Sequence, residues 1–126
     1  MRSAHVSTGS GKFQQAITIG PHRLTGDEPT EMGGDDAGPG PHELLLAALG
    51  ACTSMTLKMY ADRKAWPLKS VDVDCAGEKH ADRFVIRRKI TLHGELTAEQ
   101  RERLLEIAGK CPVHRTLTGT VAIETS

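Results

Sequence analysis

Along FQQAITI the side chains of Phe13, Gln15, Ile17 and Ile19 fall on one face at every second position, the spacing of a half-buried β-strand. Gly20-Pro21 is turn chemistry, and a second short strand is expected over residues 22–25. Residues 26–41 then show no period: they hold five glycines, three prolines and five acidic residues. Loops of this length inside a compact domain commonly serve function or stay disordered, so this one is read as the wall or lid of a site.

From Pro41 the spacing becomes helical and holds to about residue 64. Pro41 suits a first helical position, and Glu43 in the first turn complements the helix dipole. Leu45, Ala48, Leu49, Cys52, Met55 and Met59 form one stripe, while Leu44, Leu46, Ala47, Ala51 and Leu57 make the other faces apolar too. A helix apolar all round belongs in the middle of a protein or of an oligomer.

After Trp66-Pro67, VDVDC alternates Val71, Val73 and Cys75 against Asp72 and Asp74, a strand with one wet face. GEKHAD reads as a turn, and RFVIRRKITLHG puts Phe84, Ile86, Ile90 and Leu92 on one face with Arg88 interrupting it. The two runs predict a hairpin or meander. TAEQRERLLEIAG predicts a helix with a capping box, Thr97 and Gln100, and Gly109 as its stop. KCPVHRTL follows, then a last strand in TVAIETS. The order of elements argues an α+β fold in a single domain, residues 1–126.

Composition narrows the function classes. At 126 residues the chain is about one domain and needs no disulfide or metal staple. Its 16 basic and 16 acidic residues balance, with no basic stripe for nucleic acid or an anionic membrane. The longest uncharged run, residues 44–57, falls short of the roughly 18 residues a membrane span needs. The N-terminal residues lack the pattern of a secretory signal, so the expected location is the cytoplasm. Three cysteines in a reducing compartment do not make a static disulfide framework.

Each cysteine is therefore weighed alone. Cys111 precedes Pro112, and a helix starting there would put its thiol near an N-cap, where free backbone N–H groups favour a thiolate. Lys110, His114 and Arg115 add positive charge, so local physics makes Cys111 the most easily ionised thiol. Cys52, between Ala51 and Thr53, has no such local help and is read either as a small buried hydrophobe or as a thiol activated from elsewhere in the fold. Cys75 reads as core packing. Two reactive thiols 59 positions apart form a dithiol switch only if the fold brings their α-carbons within about 7 Å.

Two motifs together carry a resemblance. GPGPHELLLAALGAC, followed near the C-terminus by CPVHRTL, resembles the OsmC-like family, which includes the osmotically inducible and organic hydroperoxide resistance proteins. The similarity runs from about Thr25 onward and takes in YADRKAWPL. It implies an OsmC-like fold, with a mixed sheet around a central buried helix in an intertwined homodimer. It further implies thiol-dependent reduction of organic hydroperoxides, with Cys52 as peroxidatic and Cys111 as resolving cysteine, no cofactor, and a dithiol reductant that in some relatives is a lipoylated protein. This reverses the order that local physics gives the two thiols.

The family's arginine and glutamate, which flank the peroxidatic thiol, match less closely. The glutamate position, ten before the cysteine, is His42 here, and Glu43 lies nine before. Nine helical steps turn Glu43 to the side opposite Cys52, about 13 Å along the axis. The family's arginine comes from the N-terminal strands, where only Lys12 stands at the expected place and Arg23 is the nearest arginine. Glu43 and Arg23 are carried as supporting residues, and Arg88 is read as snorkelling or paired at an interface.

Two other classes compete. One is a non-catalytic dimeric binding module for a small apolar ligand, its cysteines redox bystanders. The other is a metal site on the C-x-x-H spacing of Cys111 and His114 with His42 and Cys52, a half-motif with no second pair to complete it. No G-x-S-x-G elbow or P-loop lysine is present for hydrolase or nucleotide chemistry.

Overall fold

The structure is a computed structural model describing all residues, Met1–Ser126. Its contacts divide the chain into two compact units, Met1–Leu45 and Leu46–Ser126.

In the first unit β1 (His5–Thr8), β2 (Gln15–Ile19) and β3 (His22–Gly26) form an antiparallel sheet in the order β1-β2-β3. Gly20, at φ +58, and Pro21 make the two-residue turn that pairs Ile19 with His22. The following loop is built, not loose. Asp27, only 2% exposed, accepts from the backbone N–H groups of Glu28 (2.8 Å), Asp35 (3.2 Å) and Ala37 (3.0 Å). The loop turns so tightly that a Cβ at Gly34 or Gly38 would run into the carbonyls of Glu28 or Thr25.

Helix α1 (Pro41–Arg63) starts in this unit and supplies the central element of the next. It is long and apolar enough to cross a bilayer by length and composition, a test that core helices of water-soluble proteins also pass. In the second unit β4 (Leu68–Lys79) and β5 (Phe84–Gly94) form an antiparallel hairpin. They are followed by α2 (Ala98–Ala108) and α3 (Pro112–Thr118). The core of this unit is Leu57, Ala61, Leu68, Leu104, Ile107 and Ala108, with Trp66, Val71, Ile90 and Leu92 packed against it. The capping box forms as expected: Thr97 accepts from Gln100 N–H, and the Gln100 side chain accepts from Thr97 N–H.

Four expectations change. The strands make two antiparallel sheets in place of one mixed sheet, because every connection within each sheet is short enough for a hairpin. The hairpin turn is shorter than GEKHAD, since Gly77, Glu78 and Lys79 still pair with Ile86, Val85 and Phe84. On α1 the buried row is Leu49, Thr53, Leu57 and Ala61, spaced by four, whereas Leu45, Met55 and Met59 of the expected stripe are exposed within this chain. Residues 120–126 form no strand, because no strand edge in the chain pairs with them, and Val121 and Ile123 stand exposed.

Candidate functional site

Cys52 and Cys111 meet at the start of α3. Cys111 is the N-cap of that helix and is fully buried; its Sγ accepts from the His114 N–H at 3.3 Å. Pro112 at the first helical position has no N–H to offer, and the next amide, Val113 N–H, points at Cys52 Sγ at 3.5 Å. Consecutive amides of one turn thus serve two sulfurs that lie 59 residues apart in sequence. Both are free thiols.

Around the pair stand three side chains that fix it. Thr53, fully buried on α1, donates its hydroxyl hydrogen to the Leu49 carbonyl at 2.7 Å and lies 3.8 Å from Cys111 Sγ. Arg88 on β5 donates to Thr53 Oγ1 at 3.0 Å and contacts His114 Nδ1 at 3.1 Å. Arginine has no acceptor atom, so Nδ1 of His114 must accept and the ring hydrogen sits on Nε2. Burial pushes the Cys111 thiol up, but the His114 amide, the Cys52 thiol, the Thr53 hydroxyl and the Arg88 charge together bring it below the ordinary thiol value. For Cys75, directly across the ladder from Arg88, burial wins: its thiol is pushed up despite the arginine.

Beside Arg88 and His114 opens a cavity of about 390 Å3, walled by Leu49, Phe84, Ile86 and Leu117. Its lining mixes these apolar side chains with polar groups. Two of its three polar lining residues, Arg88 and His114, are the same residues that hold the thiols, and Thr118 is the third.

The family model for OsmC-like protein matches residues 33–126. The chain belongs to the OsmC-like family. Solved structures agree in fold with this OsmC-like protein. The OsmC like protein of Mycoplasma pneumoniae is 20% identical, with a TM-score of 0.80 over 94% of this chain and 88% of that one. An organic hydroperoxide resistance protein OsmC of Legionella pneumophila is 20% identical, at TM-score 0.70 over 94% and 90%. The organic hydroperoxide resistance protein OhrB of Bacillus subtilis is 19% identical, at TM-score 0.66 over 94% and 91%. No curated protein sequence matches significantly.

The residues expected to support Cys52 take other places. Glu43 Oε1 accepts from the Gly40 N–H at 2.8 Å, so it caps the start of α1. Arg23 lies on β3 opposite Thr18, exposed and without a hydrogen bond or ion pair, and Lys12 sits 5.2 Å over the Phe13 ring. The C-x-x-H spacing is used by the cap: Cys111 bonds the backbone of His114, whose ring turns to Arg88. No three His, Cys, Asp or Glu side chains are grouped to hold a metal ion. What sequence reasoning missed is Arg88 and Thr53. The signals were there, a cation on an apolar strand face and the one polar member of the row Leu49, Thr53, Leu57 and Ala61.

Proposed function

We propose that this protein reduces organic hydroperoxides with Cys52 and Cys111. Cys52 thiolate attacks the terminal oxygen of ROOH, the O–O bond breaks, the alkoxide leaves and takes up a proton to become ROH, and Cys52 becomes the sulfenic acid. Cys111 thiolate then attacks the Cys52 sulfur, the hydroxyl leaves as water with another proton, and a disulfide forms. An external dithiol, from a lipoylated protein, restores both thiols by disulfide exchange.

The observation that carries this reading is the meeting of the two sulfurs at one helix turn, where the consecutive N–H groups of Val113 and His114 are aimed at Cys52 Sγ and Cys111 Sγ. Apolar walls of the neighbouring cavity favour an organic over an inorganic peroxide. The active form is an intertwined cytoplasmic homodimer, a reading supported by the exposed Leu45, Met55 and Met59 on α1 and by the unpaired apolar residues Val121 and Ile123.

The cavity also suits the rival reading, a dimeric module that binds an apolar ligand. Consumption of tert-butyl hydroperoxide by the fully reduced protein separates them. One peroxide lost per two thiols supports the peroxidase; a protein that binds apolar ligands yet leaves the peroxide untouched is the binding module.

A further inference from the structure

The charge on Arg88 has no partner of opposite charge. It is half-buried on β5 and takes part in no ion pair, and both of its hydrogen bonds go to uncharged acceptors, Thr53 Oγ1 and His114 Nδ1. A guanidinium withdrawn from water normally sits against a carboxylate or another anion. The groups able to become anions around it are thiols: Cys111, whose Sγ touches Thr53 and the His114 amide, Cys52, whose Sγ accepts from the adjacent Val113 N–H, and Cys75 opposite Arg88 in the ladder. Asp74, the neighbour of Cys75, points the other way and is exposed.

Its two bonds also join separate elements. Thr53 is on α1, the residue after Cys52, and His114 is in α3, the helix that Cys111 caps. One planar fork therefore fastens the helix bearing one sulfur to the helix bearing the other. An ammonium group supplies charge but not that fork.

We propose that Arg88 is the positioning residue of the thiol pair, its guanidinium serving as counter-ion to the thiolate and fastening α1 to α3 so that Cys52 and Cys111 meet. The arginine comes from a strand of the C-terminal unit, where Arg23 of β3 was the sequence's candidate. The role rests on the thiol-pair reading above, but its test does not require peroxide turnover.

The test uses the reduced full-length protein with Arg88→Lys and Arg88→Met. Alkylation of each cysteine by iodoacetamide is followed against pH by peptide mass, and disulfide closure is driven by diamide, which takes the two hydrogens and is itself reduced to the hydrazine. Arg88→Met raises the alkylation midpoint by about one pH unit, and Arg88→Lys keeps the midpoint but closes the disulfide roughly tenfold more slowly. A folded Arg88→Met with the wild-type midpoint overturns the counter-ion role. If the Met variant does not fold, Arg88→Lys decides alone, and wild-type closure in it overturns the proposal. Wild-type protein that closes with diamide but ignores hydroperoxide refutes the peroxidase reading and leaves Arg88 in place.

Discussion

Asp27 and Arg88 are both charged side chains drawn out of water, and each gathers its surroundings in a different way. Asp27 collects three backbone N–H groups from within ten residues of itself, and every one of its bonds closes the loop that carries it. Arg88 collects side chains from 35 and 26 residues away, on two other elements, and neither of them is an anion. Where all the valences of a buried charge are satisfied by its own loop, the product is structure. A half-buried charge left without an anion of its own, beside thiols, is a setting suited to chemistry. The acidic, glycine-rich segment, expected as the wall or lid of a site, closes on itself through Asp27, whereas the arginine expected to be structural is the one we propose for the thiol pair.

Breaking the two regions should give opposite results. Removing the nucleophile has the largest effect: Cys52→Ser lowers hydroperoxide turnover by at least about a thousandfold. Cys111→Ser permits one oxidation and then stalls as sulfenic or higher acids, seen as added oxygen mass on the Cys52 peptide. Equal turnover in both variants contradicts the assignment of roles.

Asp27→Asn acts on structure and leaves the thiols alone. The hydrogen bond from Ala37, opposed by burial and helped by Glu28 and Asp35, holds the Asp27 carboxyl below its ordinary value. The stability it lends is therefore complete above that ordinary value of 3.8 and is lost as pH falls through the lowered one. In the wild type, amide NMR shifts of Asp35 and Ala37 move only in that acid range; in Asp27→Asn they are displaced at every pH, while alkylation of Cys52 and Cys111 is unchanged. Displaced loop amides with altered thiol reactivity would mean that the loop takes part in the chemistry.

The smallest effect is expected at Cys75. Burial keeps this thiol protonated, so Cys75→Ser changes hydroperoxide turnover by less than about twofold, measured at neutral pH. A larger loss would enlist a third sulfur in the cycle.

Much of this was legible in the order of residues. The capping box at Thr97, the Cys111 cap before Pro112, the helix from Pro41 and the β4–β5 hairpin all follow from local rules of spacing and termination. The family followed from two motifs at the ends of the site. What local rules could not supply is approach in space. Arg88 and Thr53 belong to different periodic patterns, and only the packing of α1 on the hairpin joins them. Glu43 is the converse case: an acidic residue near the right motif accepts from the Gly40 N–H, as its place in the first turn of α1 suggests. The tail at residues 120–126 carries a clean strand alternation, but a strand needs an edge to pair with, and sequence does not say whose edge that is.

The most direct measurement is peptide mass mapping under non-reducing conditions, after one equivalent of tert-butyl hydroperoxide is added to the reduced protein. A rapid disulfide between Cys52 and Cys111, with Cys75 free, is the predicted result. Both thiols still free in a folded protein would contradict the account at its centre.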